Sequence, residues 1–361
     1  MASRPPTLLD LVQGWGGVGV VVRYDEPTRT WIFVALHDDT LGPATGGCRM
    51  KVYERPEDGL LDALRLAEGM TFKWAAMDFP YGGGKAVLAI PRPVEGDERR
   101  GLMHRFWRLP NSLGGRYGTG ADLGTTEDDM KEIASVSKHV IGVFGRSEGP
   151  MDPSPFTALG VFEGMKSALR HRVGSDDLSR RTVLVQGVGH VGEPLARHIA
   201  EVGGTLLLSD RDEEKARELA DELSGGWVAP AEVYQARCDV YAPCAVGATL
   251  NVETIPLLRC LAVAGGANNQ LASVDDAERL RARGILYAPD FVINGGGAMA
   301  FTLIYQGEER VDELERRVSM IGASLDGIFL EAEQRAESPI VAAQRRVERI
   351  LARGPPAPEA S

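Results

Sequence analysis

The chain has 361 residues, 43% hydrophobic and 25% charged, a length and balance suited to two soluble globular domains that each bury a core. A formal net charge of -11, with no basic stripe along the chain, excludes nucleic acid and anionic membrane as partner classes, since both demand clustered positive charge. The four cysteines, Cys48, Cys238, Cys244 and Cys260, form no CxxC pair, which argues against a disulfide framework or a zinc site and for a reduced, cytoplasmic setting.

The opening MASRPPTLLD lacks the long apolar core of a signal peptide, and no apolar stretch reaches membrane-spanning length, so a soluble, unprocessed chain is expected. Apolar and β-branched runs at 18–22 and 30–36, separated by the turn-prone Asp25-Glu26-Pro27-Thr28, predict a hairpin. Gly46-Gly47-Cys48-Arg49-Met50 supplies a glycine pair. Leu60, Leu61, Leu64, Ala67 and Met70 share a helical face, which predicts a helix ending near Met70 with Lys73 emerging just past it.

Lys85 follows Gly82-Gly83-Gly84 and precedes the apolar strand AVLAI. A glycine run removes side-chain bulk, permits unusual backbone angles and lets a ligand approach the main chain. Burial disfavours the charged form of an amine, as does a second amine close by. A lysine in this span, GMTFKWAAMDFPYGGGK, therefore reads as a base near neutral pH; the plainer alternative is a solvated lysine beside a structural turn.

Farther on, the loop GTGADLG carries a single carboxylate, Asp122. Thr126 and Asp129 form a capping box, with Glu127 and Asp128 suited to a helix N-terminus, and predict a helix running to about Val140. Asp122 lies outside that cap, and reads equally as an Asx-turn residue or a functional acid. Residues 145–155, GRSEGPMDPSP, read as a domain linker ending in a helix-start signal, and 156–172 as the helix that follows.

Apolar strands at 182–186, 205–209, 240–242, 261–264 and 285–288 alternate with helical stretches, the pattern of a parallel sheet wound with helices. The first strand runs into Gly187-Val188-Gly189-His190-Val191-Gly192 and then a helix, and Asp210 closes the next strand. This is the dinucleotide fingerprint: the glycines admit a pyrophosphate to a helix N-terminus, and the acid accepts hydrogen bonds from the adenosine ribose. NAD is the expected cofactor, with Arg211 leaving NADP open. His190 sits at a variable fingerprint position and reads as a solvent-edge residue. His37, His104, His139, His171 and His198 have no metal-ligand spacing, so no metal is expected. At the C-terminal end, Val311, Leu314, Val318, Ile321, Leu325 and Ile328 form the apolar stripe of one helix; a second starts with Ser338 as cap and Pro339 in its first turn and stops at Gly354.

The motifs LGPATGGCRM, GMTFKWAAMDFPYGGGK, TGADLGTTEDDM, SPFTALGVFEGMK, VLVQGVGHVG, DVYAPCAVG, AGGANNQLA and APDFVINGGG, in this order, closely resemble the phenylalanine, leucine and valine dehydrogenases, a branch of the glutamate dehydrogenase superfamily. The resemblance implies an α/β fold of two domains. A catalytic and oligomerisation domain spans 1–150 and a Rossmann-type NAD-binding domain 151–335; a helix at 336–353 packs back toward the first domain, and 354–361 is a disordered tail. It implies a homo-oligomer, and a cleft that closes so that lysines of one domain meet nicotinamide held by the other. By resemblance Lys73 holds the substrate α-carboxylate, helped by Gly46 and Gly47. Lys85 is the catalytic lysine, and Asp122 exchanges protons with the substrate nitrogen. Asn268 lies at the amino group and nicotinamide. Thr157, the Ala242-Pro243-Cys244-Ala245 segment and Asn294 line the nicotinamide site.

The activity implied is oxidative deamination of a hydrophobic L-amino acid and its reverse. Glutamate-specific relatives carry lysine just before the Gly-Gly pair and a small hydroxyl residue after the Asn-Gly-Gly segment, where this chain has Thr45 and Phe301; Ala298 leaves room in the same pocket. Phenylalanine, leucine, valine and tryptophan all remain candidates, with overall resemblance favouring phenylalanine. Cys48, Trp74 and Gly295-Gly296-Gly297 depart from the usual pattern and bear on pocket shape. Two other readings stay open: a nucleotide-binding regulatory protein without turnover, and a biosynthetic relative acting on a larger aryl keto acid.

Overall fold

The computed structural model describes residues 7–137, 139–140, 152–308 and 310–354. The chain divides into two compact units, Met1–Met151 with Val347–Ser361, and Asp152–Arg346. Most of the 145–155 stretch read as a linker, and 355–361 of the tail, lie outside the described residues. No helix among the described residues is long and apolar enough to cross a membrane.

The first unit runs α1 (Leu8–Trp15), β1 (Gly19–Asp25), β2 (Thr30–Asp38), β3 (Ala44–Thr45), β4 (Cys48–Val52), α2 (Pro56–Ala76), β5 (Gly82–Ile90), α3 (Gly96–Asn111), β6 (Tyr117–Gly118) and α4 (Glu127–Ala134). The hairpin forms as expected, with β1 antiparallel to β2. Its sheet has the order β1-β2-β5-β3-β6, with β4 also paired to β5. Strand β5 is the centre, buried at every residue. Ala86, Leu88 and Ile90 join a core that includes Leu102, Phe106 and Trp107 of α3 and Met130 and Ile133 of α4. Val87 and Ala89 alternate to the other face, against Leu60, Ala63, Leu64 and Ala67 of α2. Each large apolar side chain so buried contributes about 1.5–3 kcal/mol.

Three expectations change here. Helix α2 does not end near Met70 but runs to Ala76, so Lys73 sits in its last turn; Leu61 points outward, 50% exposed. Gly82-Gly83-Gly84 is not a loop but the first part of β5, with no positive φ among its residues. Glycine is required there for proximity: a Cβ on Gly83 would lie 2.0 Å from Thr71 Oγ1 and 2.4 Å from the Ala67 carbonyl oxygen of α2. The capping box at Thr126 and Asp129 is present, yet α4 stops at Ala134 rather than near Val140.

The second unit runs α5 (Ser154–Val173), β7 (Thr182–Gln186), α6 (Gly192–Glu201), β8 (Thr205–Ser209), α7 (Glu213–Glu222), β9 (Gly226–Trp227), β10 (Val240–Pro243), β11 (Ala262–Val263), α8 (Asp275–Ala282), β12 (Leu286–Tyr287), α9 (Asp290–Ile293), α10 (Gly296–Tyr305) and α11 (Val311–Arg335). The final helix, α12 (Pro339–Arg353), crosses the boundary between units in sequence. All its strand pairings are parallel, in the order β12-β11-β10-β7-β8-β9. The order reverses direction beside β7, so the chain leaves β7 at the switch point of a doubly wound sheet, where such sheets bind ligands.

The α11 stripe is buried from Leu314 to Ile328, while Val311 is exposed. Ser338 does not cap α12 with its side chain, since its buried hydroxyl has no hydrogen-bond partner. Helix α10, at GGAMAFTLIY, was not among the expected elements, and two glycines open it. They serve packing: a Cβ on Gly296 would lie 2.1 Å from the Phe156 carbonyl oxygen, and one on Gly297 2.5 Å from Thr157 Oγ1.

Candidate functional site

In the first unit the sheet register brings the charged side chains together. Arg49 pairs with Val87 across β4 and β5, so Arg49 and Lys85 stand on the sheet face that carries Val87 and packs α2. The loop after β6 returns alongside β4, tied by the Thr125 hydroxyl donating to the Cys48 carbonyl at 2.7 Å, and presents Asp122 to that face. Lys85, only 4% exposed, places Nζ 3.1 Å from Asp122 Oδ1. Arg49 Nε donates to Asp122 Oδ2 at 2.8 Å. Burial opposes ionisation of Asp122, but the charges of Lys85 and then Arg49, with their hydrogen bonds, outweigh it and hold the carboxyl below its ordinary 3.8. The charge found facing Lys85 is thus a carboxylate.

Lys73 is half-buried in the last turn of α2. The next residue, Trp74, is buried and its indole N–H donates to the Thr45 carbonyl at 3.0 Å, which fixes the chain entering the glycine pair. Thr45 turns its hydroxyl back to the Pro43 carbonyl, 3.1 Å. Gly46 has both main-chain groups engaged, donating to the Gly118 carbonyl at 3.1 Å and accepting from the Tyr117 hydroxyl at 2.9 Å. At Gly47 a Cβ would lie 2.8 Å from Asp122 Cβ and 3.4 Å from Lys85 Nζ, so glycine keeps this surface bare.

Sequence reasoning missed Arg49 and Asp62. Arg49 Nη1 donates to Asp62 Oδ2 at 2.9 Å, and Asp62 also accepts from the Tyr53 hydroxyl at 2.7 Å and Arg65 Nη2 at 3.0 Å. The available signal was a charged residue inside the apolar alternation of β4.

In the second unit the fingerprint builds a tight strand-to-helix turn. Gly187 has φ of 95°, and a Cβ on Gly192 would lie 1.8 Å from the Gly187 carbonyl oxygen. Gly189 is open, with nothing within 4 Å of an added Cβ, and α6 starts at Gly192 after Val191 without a side-chain cap. A bare glycine before an uncapped helix N-terminus fits a pyrophosphate. Asp210, just past β8, accepts the Val188 N–H at 2.8 Å and the Asp212 N–H at 3.0 Å, which fixes its orientation beside the turn. Arg211 is exposed, and His190 is 89% exposed with Nδ1 3.7 Å from Asp152, as a solvent-edge residue should be.

The remaining residues gather at the ends of β10 and β11. Ala242 is buried in β10, the Cys244 N–H donates to the Gln186 carbonyl at 2.7 Å, and Ala245 packs against Gly187. Burial pushes the Cys244 thiol up to about 11, so it packs as a thiol. Asn294, 6% exposed, donates through Nδ2 to the Gly266 carbonyl at 3.3 Å and to Asn268 Oδ1 at 2.8 Å. A carbonyl only accepts, so Asn294 Oδ1 faces the other way, and it is a buried acceptor without a partner. Such an acceptor fits the amide of a nicotinamide. Thr157 accepts the Gly297 N–H at 3.2 Å and ties α5 to α10, whose half-buried Ala298 and Phe301 lie one turn apart.

Residues 25–139 match the family model for the Glu/Leu/Phe/Val dehydrogenase dimerisation domain, and residues 207–317 match that for Glutamate/Leucine/Phenylalanine/Valine dehydrogenase. Leucine dehydrogenase of Bacillus subtilis is 39% identical over 354 residues, covering 93% of this chain and 94% of its own. Phenylalanine dehydrogenase of Bacillus thermotolerans is 38% identical over 345 residues, covering 93% and 88%. The crystal structure of L-tryptophan dehydrogenase from Nostoc punctiforme superposes with a TM-score of 0.84 at 36% identity, covering 96% of this chain and 99% of that one. Similarity of this extent along the whole chain places it in the family: the protein belongs to the glutamate, leucine, phenylalanine and valine dehydrogenases.

Proposed function

We propose that this protein catalyses the reversible oxidative deamination of a hydrophobic L-amino acid to its 2-oxo acid and ammonia, with NAD as the nicotinamide cofactor. The observation that carries the reading is the buried contact between Lys85 Nζ and Asp122 Oδ1 at 3.1 Å, because a lysine that gives and takes a proton needs a partner shielded from bulk water. The chain is an amino acid dehydrogenase by family, and relatives named for leucine, phenylalanine and tryptophan support a hydrophobic substrate.

A bound nicotinamide would supply the hydride acceptor by which the amino acid, losing hydride from Cα, becomes an iminium. Lys73 holds the α-carboxylate, with Gly46 and Gly47 keeping side-chain bulk away. Lys85, as the amine, takes a proton from the water that adds to the iminium carbon, and as the ammonium it stabilises the developing oxyanion. Asp122 passes protons to the nitrogen, which departs as ammonia.

Gly187, Gly189, His190, Val191 and Gly192 cradle the pyrophosphate. Asp210 takes the ribose hydroxyls and repels a 2'-phosphate, with the exposed Arg211 beside it. Thr157, Ala242, Cys244, Ala245, Asn268 and Asn294 seat the nicotinamide, and Asn268 also reaches the substrate amino group. Ala298, Phe301 and the inward-turned Thr45 offer no charge to a second carboxylate, which leaves glutamate unpaired. The dimerisation-domain match supports a homo-oligomer formed through the first unit, and we assign the protein to a reducing cytoplasm.

A panel of L-amino acids with NAD and NADP tests the reading. NADH formation with phenylalanine, leucine, valine or tryptophan, and none with glutamate, is expected. Nucleotide binding without turnover of any hydrophobic amino acid overturns it.

A further inference from the structure

Asp122 is gripped on both oxygens, and the two grips differ in kind. On Oδ1 stands Lys85 Nζ at 3.1 Å, an amine able to release a proton. On Oδ2 stands Arg49 Nε at 2.8 Å, part of a guanidinium that stays protonated in proteins. Arg49 is itself anchored: Nη1 lies 2.9 Å from Asp62 Oδ2, and Asp62 is fixed by Tyr53 and Arg65. The main chain of the loop is held as well, the Asp122 N–H donating to Thr125 Oγ1 at 2.9 Å and that hydroxyl to the Cys48 carbonyl. Position and orientation of the carboxylate are therefore set from β4, one strand away from the lysine.

We propose that Arg49 is the positioning residue of Asp122: anchored on Asp62, it occupies Oδ2 and leaves Oδ1, beside Lys85 Nζ, as the single oxygen through which the proton is exchanged. This deepens the dehydrogenase reading and rests on it. The step is one proton moving between Nζ and Oδ1 and from Oδ1 to the departing nitrogen, with no other bond made or broken at Asp122. The charged and titratable groups around Asp122 include Lys85 from β5, Arg49 and the Cys48 thiol from β4, the buried Tyr117 hydroxyl from β6, and, beyond Arg49, Asp62 and Arg65 of α2 and the Tyr53 hydroxyl. Arg49 is a permanent positive charge held against Asp122, so it favours the ionised carboxylate.

Three full-length variants test this through the pH profile of kcat/KM for amino-acid oxidation. Arg49→Gln removes charge and grip, and is expected to move the acid limb up by about one pH unit, with kcat down at least about tenfold. Arg49→Lys keeps the charge but cannot span both carboxylates, so kcat falls while the limb stays within about 0.3 unit of wild type. Asp62→Asn frees the anchor without removing the cation, and is expected to lower kcat with no upward shift.

An active Arg49→Gln whose limb is unmoved overturns the proposal, as does an equal upward shift in Arg49→Lys or Asp62→Asn, which would mark general loosening. Should circular dichroism show Arg49→Gln unfolded, the other two decide: a lowered kcat with the limb in place supports the assignment, and unchanged kcat or a raised limb overturns it. A wild-type protein that oxidises no amino acid sinks the underlying function, a result distinct from an active wild type whose variants behave alike.

Discussion

The two units gather their candidate groups in different ways. In the first, the candidate groups are acidic and basic side chains brought into a packed interior: Lys85, Asp122, Arg49 and Asp62, each partly or wholly out of water and each with a partner of opposite type. In the second, the same task falls to main chain and amides: bare glycines, an uncapped helix N-terminus, and the Asn268–Asn294 pair. The difference follows from what each half handles. Proton exchange requires groups that change charge, and those must be paired to survive burial. Seating a cofactor requires shape and fixed donors and acceptors, which glycine and amides supply at no electrostatic cost.

The sharpest way to break the comparison is to remove one group from each half and ask whether the losses separate. Lys85→Met should lower kcat by about a thousandfold, within the range for loss of a general base, while the Kd for NAD stays near wild type. Steady-state kinetics and calorimetric titration of the nucleotide give the two readouts. Loss of nucleotide binding in this variant would mean that the halves do not divide the labour.

Acid should then find the first unit before the second. Asp25 is 2% exposed and accepts from Arg105 Nε at 2.6 Å and Nη2 at 2.9 Å. Burial works against its ionisation, and Arg105 and Thr28 overcome that and hold it below 3.8. Asp62, Asp122 and Asp129 are likewise lowered against burial, Asp62 first by the Tyr53 hydroxyl and then by Arg65 and Arg49, Asp122 by Lys85 and Arg49, and Asp129 by Arg99 and the Thr126 N–H. Groups with depressed values stabilise the fold above about pH 4 and lose that contribution as pH falls below it. The lowered acids of the second unit, Asp176, Asp177, Glu222, Glu278, Glu308 and Glu313, lie mostly at the surface and carry less. Four of the five tryptophans, Trp15, Trp31, Trp74 and Trp107, belong to the first unit, so their fluorescence on acidification reports it. Asp25→Asn, which leaves Arg105 unpaired, is expected to cost about 3 kcal/mol at neutral pH by denaturant melt and to flatten the acid transition.

A smaller effect sharpens the other half. Gly192→Ala sets a methyl 1.8 Å from the Gly187 carbonyl oxygen, which must move and carry the turn with it. We expect the Kd for NAD to rise about tenfold or more, near 1.4 kcal/mol, with the contact between Lys85 and Asp122 untouched.

The second unit was the more readable of the two in sequence, and for a physical reason. Its fingerprint is local: Gly187, Gly189, Gly192 and Asp210 announce a strand, turn and helix by spacing alone, and β7 and β8 fall on the residues expected. The first unit hides its arrangement in long-range register. Gly82-Gly83-Gly84 has loop composition but lies in the central strand, because what demands glycine is the approach of α2, invisible along the chain. Lys73 reads as lying past a helix that in fact continues through it, since Trp74, Ala75 and Ala76 bury the last turn. Helix α10 was missed for the same reason, its glycines marking contact with α5. Arg49 gave only the faint sign of a charge within β4 and Asp62 none, because the two are 13 residues apart and meet only through the packing of β4 beside α2.

The smallest expected effect concerns the residue that sequence alone most easily mistakes for a catalyst. His190 stands inside the nucleotide turn, where a titratable ring could be read as a base for the reaction. Its side chain is 89% exposed, and its nearest charged neighbour, Asp152, is 3.7 Å away and half exposed. An exposed pair of this kind contributes at most about 1 kcal/mol, and the turn takes its shape from the glycines on either side. His190→Ala is therefore expected to leave kcat and its pH profile unchanged and to alter the KM for NAD by no more than about twofold, which corresponds to some tenths of a kcal/mol. A pH profile that lost a limb in this variant would move a proton-handling group into the second unit, and the contrast between a charged half and an uncharged half would fail at that residue.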